Sequence, residues 1–500
     1  MEEATPWDWA AVIGAAVAGV WVVVVVQRRR RRRRRTEEDE GMVPRGSSGW
    51  PLIGETLDFI ASGYSSRPVS FMDKRKSLHG EVFKTHLLGK PVIVSTDPEV
   101  NRAILLNPAN AFVPSYPKSV TDLFGANSIL QMTGSLHKRL HAAVGGYLKS
   151  PPNKARFAAD VERTVRRSLS SWAEEHRNFV YVQDHAKQIA FEVLVKVLMS
   201  VEPGEDLDFM RAQFEEFMKG LVCIPINLPG TTLYKSLKAK GKLLKLVEKM
   251  VEERKVMVGL EEKGSAPPAD AIDLLLRDAA GEESDGTDRR LLPPEFIPSN
   301  LIEMMIPGVE TMPTAMTLVV KFLSDNPLAL AQLREENMEL RRRKLNSGEE
   351  YVWTDYMSLY FAQNVISETL RMANIINAVW RKANKDVQIK GHLIPEGWCV
   401  LASLISVHMD EENYENPYDF NPWRWENPGM NINSSKFTPF GGGQRLCPGL
   451  ELSRLEISIF VHHLVTTYRW VAEEDEIVYF PTVKMKRKLP ITVAPVDNHL

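Results

Sequence analysis

The pattern of apolar and polar positions divides the chain into a small strand-rich part and a long helical part. Apolar and polar residues alternate over 81–87, and a second short apolar run covers 91–95, two patterns that are typical of strands. After Asp97 most apolar residues recur at intervals of three and four, which indicates helices. The pattern therefore predicts a mainly α fold with a small β region.

One apolar stretch near the N-terminus is continuous. Residues 9–26 would form a helix about 27 Å long, enough to cross a thin endoplasmic reticulum bilayer. Acidic residues precede this stretch and arginines 28–35 follow it without a small-residue cleavage site, which favours a transmembrane anchor over a cleaved signal peptide. The arginines predict a luminal segment 1–8 and a cytosolic main domain. A nucleic-acid or nuclear-import role for them is the alternative.

The rest of the chain reads as a linker and one large domain. Turn-forming residues in 27–51 predict a linker, 52–500 a single folded domain, and the polar segment 259–289 a surface connection. An apolar content of 44% supports a large core, and three cysteines provide no disulfide framework. A net charge of −2 predicts no bulk attraction to nucleic acid.

The most informative motif surrounds Cys447, in the run Phe440-Gly-Gly-Gly443-Gln-Arg445-Leu-Cys447-Pro-Gly449. The glycines at 443 and 449 allow turns and close approaches that a Cβ would forbid. Arg445 is a fixed cation suited to a carboxylate such as a haem propionate. The apolar run that follows predicts a helix, whose N-terminus would lower the pKa of the thiol. This frame suits a thiolate ligand to haem iron.

The spacing Phe-x-x-Gly-x-Arg-x-Cys-x-Gly resembles the haem-binding loop of the cytochrome P-450 monooxygenases. The resemblance implies a helical prism that encloses haem b, with Cys447 as the iron ligand and Phe440, Arg445 and Gly449 in the cofactor site. It also implies activation of O2 with electrons from NADPH, delivered by a NADPH-cytochrome P-450 reductase. The linker resembles the family's proline hinge, although its usual adjacent prolines are absent.

A second motif lies in the apolar helical pattern from Met305 to Pro313. Its Gly, Pro and Thr would open backbone hydrogen bonding in the helix centre, and the pair Glu310-Thr311 can relay protons to bound dioxygen. The segment resembles the family's oxygen-binding helix, with Pro307 where Ala or Gly is usual. A kinked core helix with a charge at its rim is the alternative.

A third motif places Glu368 and Arg371 on one helix face, three residues apart. Such a pair is usually a surface salt bridge of little energetic weight. The stretch Phe420 to Trp425 resembles the family's downstream arginine motif and adds Arg424 as a third member. We expect a buried structural triad that holds the haem-side part of the chain in place.

Further cationic residues are candidates for the haem propionates and for the reductase. Arg381 joins Arg445 as a propionate ligand, and His137 and His141 stand where the family often has Trp and Arg. These histidines could donate to a propionate, or be ordinary surface residues. Candidate docking residues for the reductase, which could equally be merely solvated, are Lys138, Arg139, Lys149, Lys436 and Arg454.

The segments 370–382, 398–401 and 437–444 resemble plant brassinosteroid-biosynthetic members, most of all those that hydroxylate C-23 of 22-hydroxylated steroids. Candidate lining residues, each of which could equally be core, are Phe112, Val113, Tyr116, Phe124, Met305, Val309, Ile375, Ile376 and Val379. No residue decides between C-22 and C-23. Another sterol or triterpenoid hydroxylation stays open as well, whereas Glu310-Thr311 argues against a haem-thiolate isomerase or a non-catalytic haem protein.

Overall fold

The computed structural model describes residues 43–125, 127–172, 179–260, 268–279, 292–430 and 432–496. The predicted luminal segment 1–8, the anchor 9–26 and most of the linker lie outside these ranges. Within them, no helix combines the length and the apolar character that a membrane crossing requires.

Helices dominate the described chain, as the apolar spacing predicts. In chain order they are α1 (Thr56–Ser62), α2 (Ser70–His79), α3 (Pro98–Leu106), α4 (Lys118–Phe124), α5 (Gly134–Lys149), α6 (Pro151–Trp172), α7 (Val182–Met199), α8 (Glu205–Met218), α9 (Thr232–Leu260), α10 (Ala271–Ala279), α11 (Ile297–Asp325), α12 (Pro327–Ser347), α13 (Trp353–Met357), α14 (Tyr360–Ala373), α15 (Leu404–His408) and α16 (Leu450–Thr467). Helix α11 is the central one, because most of its side chains are buried in the largest core cluster.

The strands form a small β region. They are β1 (Val82–Leu87), β2 (Lys90–Ser95), β3 (Phe112–Pro114), β4 (Val180–Tyr181), β5 (Ala378–Ala383), β6 (Val387–Ile389), β7 (His392–Ile394), β8 (Cys399–Ser403), β9 (Tyr468–Ala472), β10 (Ile477–Val478), β11 (Lys484–Met485) and β12 (Pro490–Pro495). The main sheet has the order β1-β2-β8-β5-β3, in which only β2 and β8 pair in parallel. The two strands predicted near the N-terminus are confirmed as β1 and β2.

One segment differs from its prediction as a polar surface connection. Its described part contains helix α10, whose side chains Ala271, Ile272, Leu275 and Leu276 are buried. Arg254 of α9 forms ion pairs of 3.1 and 2.7 Å with two aspartates beside this helix. The prediction is wrong here because a single apolar face of two turns is easily overlooked between polar flanks.

The packing of three helices brings the sequence motifs together. Helix α11, which carries Glu310 and Thr311, packs against α14 and α16. Helix α14 carries Glu368 and Arg371, and α16 begins three residues after Cys447. The fold thus places the three motifs on neighbouring elements, although they span about 140 residues of sequence.

Candidate active site

Cys447 lies half-buried in a short loop between a 3-10 helix (Gly443–Arg445) and α16. Its N–H donates to the carbonyl of Phe440 at 3.1 Å, which closes the loop. Gly443 has φ +62°, and a Cβ there would come within 2.1 Å of the Leu105 carbonyl oxygen. Only glycine fits at this position, as the sequence predicts.

Gly449 differs from that expectation. It is the N-cap of α16 with φ −87°, and a Cβ would sit 3.8 Å from Cys447 Sγ, an ordinary contact. Neither its backbone conformation nor crowding by the described chain demands glycine. The prediction of a conformational need is wrong for Gly449, because the turn is made earlier, at 443.

The electrostatic setting of the thiol also corrects an expectation. Burial raises the pKa of Cys447, while the Gly449 N–H and Lys149 act in the opposite direction with smaller effect. The predicted lowering of the thiol pKa by the helix N-terminus is therefore outweighed by desolvation. A coordinated metal cation deprotonates a thiol outright, so the iron itself is the charge that would hold a thiolate here.

Two half-buried guanidinium groups provide the test of whether haem fits. Arg445 donates to the carbonyls of Leu130, at 3.3 Å, and Met132, and Arg381 donates to the Trp380 carbonyl at 3.0 Å. Neither has a carboxylate partner among the described residues. Burial, and then repulsion by Arg445, lowers the pKa of Arg381 to about 10. Two neighbouring cations that are partly withdrawn from water and lack an anion suit the two propionates of haem.

The two candidate histidines lie on α5 beside these arginines, and their rings are 5.5 Å apart. Nε2 of His141 is 2.6 Å from the Leu446 carbonyl oxygen. Because a carbonyl only accepts, Nε2–H donates there and ties α5 to the cysteine loop. His137 is buried, and burial followed by Arg445 lowers its pKa to about 4. A propionate contact through either ring stays a prediction. The Nε2–H of His141 already donates to the Leu446 carbonyl.

The centre of α11 keeps accessible surface in an otherwise buried helix. Pro307 is exposed, and the four residues from Gly308 to Thr311 are half-buried. Thr311 Oγ1 donates to the Pro307 carbonyl at 2.8 Å. Since Pro307 and Pro313 have no N–H, two carbonyls one turn earlier, at 303 and 309, lose their helical donors. The helix therefore loses two backbone hydrogen bonds close to Glu310, whose pKa is raised by burial.

The predicted triad is assembled as expected. Arg371 binds Glu368 through two bonds of 3.0 and 2.8 Å, and Arg424 Nε donates to the same carboxylate at 2.9 Å. The indole of Trp425 and the backbone N–H of Asn421 complete its partners at 3.0 and 3.1 Å. Both Glu368 and Arg371 side chains are fully buried. Both oxygens of the Glu368 carboxylate thus accept at least two hydrogen bonds each.

The candidate lining residues divide into three groups by burial. Phe112, Phe124 and Met305 are buried within core clusters, which fits the core alternative. Ile376 is 46% exposed. The half-buried members are Val113, Tyr116, Val309, Ile375 and Val379. Contact with a substrate stays a prediction for all of them. The half-buried residues are better placed for such contact than the buried ones.

One predicted docking residue has another role. The guanidinium of Arg454 donates to the backbone and side chain of Gln363 and to Ser367 Oγ, and burial lowers its pKa to about 10. Arg454 thus ties α16 to α14 and is not a free surface charge. Lys138, Lys149 and Lys436 are exposed, and Arg139 is half-buried.

Sequence reasoning missed a buried histidine that links the triad to the cysteine loop. His408 Nε2 accepts from the Thr438 N–H at 3.0 Å, so Nδ1 carries the proton and donates to Asn374 Oδ1 at 2.8 Å. The carbonyl of His408 accepts from Arg371 at 2.8 Å. Asn374 ends α14 in a left-handed conformation, φ 44°. Asparagine is one of the residues that favour this conformation at the end of a helix, so Asn374 was a local signal in the sequence.

A family model described as Cytochrome P450 matches residues 44–491. The chain belongs to the cytochrome P450 family. The Arabidopsis thaliana protein described as 3-epi-6-deoxocathasterone 23-monooxygenase CYP90C1 is 64% identical over 460 residues, 92% of this chain and 86% of that protein. A second A. thaliana protein with that description, CYP90D1, is 52% identical over 450 residues, 90% of this chain and 89% of that protein.

A solved structure shows the same P450 fold. Retinoic acid bound cyanobacterial CYP120A1 matches with a TM-score of 0.74 at 24% identity, covering 91% of this chain and 100% of that one. Membership of the P450 family makes the chain a haem-dependent monooxygenase that uses O2 and receives electrons from a reductase. The half-buried pair Arg381 and Arg445 and the loop around Cys447 fit this cofactor.

Proposed function

We propose that this P450 inserts one oxygen atom at C-23 of a 22-hydroxylated brassinosteroid precursor such as 3-epi-6-deoxocathasterone. The observation that carries the proposal is the 64% identity to a plant protein described by that reaction. The half-buried apolar candidates Val309, Ile375 and Val379 suit a steroid, because they offer dispersion contacts and few fixed polar groups.

Each part of the proposed haem site has a separate task. Cys447 is the iron ligand of haem b, and Arg381 and Arg445 pair with its propionates. His141 holds the cysteine loop through the Leu446 carbonyl. When bound, haem supplies the activation of dioxygen that a thiolate ligand promotes.

Proton delivery is assigned to Glu310 and Thr311. Burial raises the pKa of Glu310, so its carboxyl group can hold a proton closer to neutral pH than an exposed glutamate. The Thr311 hydroxyl is bonded to the Pro307 carbonyl, in the part of α11 that loses two backbone hydrogen bonds.

We place the protein at the endoplasmic reticulum membrane with its P450 domain in the cytosol. The support is the apolar segment 9–26 followed by arginines. Exposed apolar side chains within the described residues, including Trp50, Leu52, Ile224 and Leu228, suit contact with a bilayer surface.

Electrons would come from NADPH through a membrane-bound reductase. The exposed Lys138, Lys149 and Lys436 belong to the elements around the cysteine loop and suit an acidic partner surface. Arg454 is excluded from this docking set by its hydrogen bonds.

Turnover decides the regiochemistry. The purified full-length protein is incubated with NADPH, the reductase and 3-epi-6-deoxocathasterone, and products are identified by mass spectrometry and comparison with reference steroids. We expect one new hydroxyl at C-23. Oxidation only at C-22 or at another carbon would overturn the proposed reaction.

A further inference from the structure

A segment that begins within helix α4 and runs towards α5 is fixed mainly through its backbone. We call it the strap and define it as residues 119–125 and 127–132. It contains Phe124, begins three residues after Tyr116, and ends next to the helix of His137 and His141. The strap thus connects the half-buried lining candidate Tyr116 with the helix beside the proposed haem site, while Phe124 itself is buried in the core.

Lys240 of α9 is hydrogen-bonded to the first half of the strap. Its Nζ donates to the carbonyl oxygens of Leu123 and Phe124 at 2.8 and 2.9 Å. The Lys240 side chain is only 11% exposed. A buried ammonium that donates to two carbonyls makes charge-assisted bonds, which are stronger than neutral ones.

Asn300 of α11 grips the second half. Its Oδ1 accepts from the Ile129 N–H at 2.7 Å, and its Nδ2 donates to the Asn127 carbonyl at 3.3 Å. Asn300 has no exposed surface. The strap is thereby joined to the same helix that carries Glu310 and Thr311.

Glu303 lies on α11 one turn after Asn300 and close to Lys240. Its carboxylate is 1% exposed and Oε1 is 3.8 Å from Lys240 Nζ, an ion-pair distance longer than a hydrogen bond. Neither oxygen makes a well-formed hydrogen bond to the described residues, although Ser128, the Ile129 N–H and Lys240 face the carboxylate and act to lower its pKa. Burial raises the pKa of Glu303 and lowers that of Lys240. Burying a carboxyl group without well-formed hydrogen bonds costs free energy. Glu303 is therefore held less tightly than a fully hydrogen-bonded carboxylate would be.

The far end of the strap reaches the cysteine loop. Arg445 donates to the carbonyls of Leu130 and Met132. Near the other end, Ser119 Oγ donates to the Leu221 carbonyl at 3.0 Å, in the connection that leads to α9. One short segment thus touches α9, α11 and the proposed propionate ligand.

We propose that Lys240 is a positioning residue for the steroid. It holds the strap against α9 and α11 so that the substrate wall is closed and water is excluded during turnover. Glu303 favours the ammonium at this place without anchoring it, so the strap can still open to admit substrate. The inference rests on the proposed steroid function.

The test uses the full-length haem protein with Lys240→Met, Lys240→Gln and Lys240→Arg. Lys238→Met is the control, because Lys238 is exposed on the same helix. We expect normal haem content and a normal ferrous–CO spectrum in every variant. In Lys240→Met, the steroid concentration that gives half of the maximal Soret shift should rise about 10-fold. It should raise KM more than it lowers kcat and increase the NADPH consumed per product formed.

Lys240→Arg should recover most of the binding, because a guanidinium can donate to both carbonyls. Lys240→Gln should fall between Lys240→Arg and Lys240→Met. Loss of haem from Lys240→Met and Lys240→Gln would show a purely structural residue and overturn the proposal. Steroid binding and coupling equal to the control would overturn it as well.

A second measurement does not depend on the substrate. Limited proteolysis with chymotrypsin should cut after Leu123 or Phe124 faster in Lys240→Met than in Lys238→Met. Equal rates would overturn the proposal. If the wild type gives no spectral shift with the steroid, the proposed substrate is wrong, and the proteolysis comparison still decides whether Lys240 holds the strap.

Discussion

Glu368 and Glu303 are both buried carboxylates on helices that pack together, yet their surroundings are opposite. Glu368 accepts bonds from Arg371, Arg424, Trp425 and the Asn421 backbone. Glu303 has Lys240 at 3.8 Å and no well-formed hydrogen bond among the described residues.

The difference separates an anchor from a movable support. A charge whose acceptors are all used can leave its place only by breaking several bonds at once. A charge held at ion-pair distance loses little when its partner shifts by an ångström, because Coulomb energy falls slowly with distance. The first suits the fixed haem side of the molecule, and the second suits a wall that must admit a steroid.

The largest effect is expected from removing the anchor. Glu368→Ala leaves two arginines buried without a partner and should cost about 3–5 kcal/mol of unfolding free energy. We expect loss of haem incorporation, measured as haem per protein and as the ferrous–CO band. Glu335→Ala, at an exposed position of α12, is the control. Normal haem content in Glu368→Ala would refute the anchoring role.

A third buried carboxylate extends the comparison to pH. Burial raises the pKa of Glu456 on α16 from 4.5 to about 8, and its Oε1 has no partner among the described residues. The folded protein therefore binds the proton more tightly than the unfolded chain, and stability falls as pH rises from about 4.5 to about 8. The full loss is on the order of 4 kcal/mol.

Urea unfolding at pH 5, 6.5 and 8 checks this expectation. The wild-type midpoint should decrease across the series, and Glu456→Gln should show a smaller decrease because its amide does not titrate. Equal slopes for both proteins would mean that Glu456 is not the source of the pH dependence.

An intermediate effect is expected at the link between the anchor and the cysteine loop. His408→Ala leaves the Asn374 side chain and the Thr438 N–H without their shared partner, at a cost of about 2–3 kcal/mol. Thermal unfolding of the haem protein gives the change. His79→Ala, a histidine at the end of α2 that is half-buried, should stay within about 0.5 kcal/mol of wild type. A similar loss in both variants would contradict the special role of His408.

The smallest effect is expected at Glu303. Glu303→Gln keeps the volume of the side chain, and Lys240 keeps its two carbonyl acceptors, so the unfolding free energy should change by only about 1 kcal/mol. The same urea series measures it. A loss as large as that of Glu368→Ala would erase the distinction between anchor and movable support.

The contrast also marks how far the sequence predicts the molecule. The cysteine loop, the Glu310-Thr311 pair and the Glu368-Arg371 pair are local spacings on one loop or one helix face, so they are readable in one dimension. Lys240 and Asn300 act on residues more than 100 positions away. Nothing in their own neighbourhoods distinguishes them from ordinary helix residues.

Burial is the other quantity that the sequence could not supply. Arg454 resembles a surface docking charge until its three hydrogen bonds to Gln363 and Ser367 of α14 are seen. The thiol pKa was predicted from a helix N-terminus alone, whereas desolvation proves larger. Gly443 was predicted correctly because a left-handed turn is a property of the backbone, which local sequence reports directly.

The strap is held through the carbonyls of Leu123, Phe124, Asn127, Leu130 and Met132 and the N–H of Ile129. Those groups are present whatever side chains the strap carries. Its side chains can therefore change over evolutionary time, or in a designed library, while its path and its grip on the haem side are inherited unchanged. Such a segment is a natural place for related enzymes to acquire different steroid preferences without rebuilding the rest of the molecule.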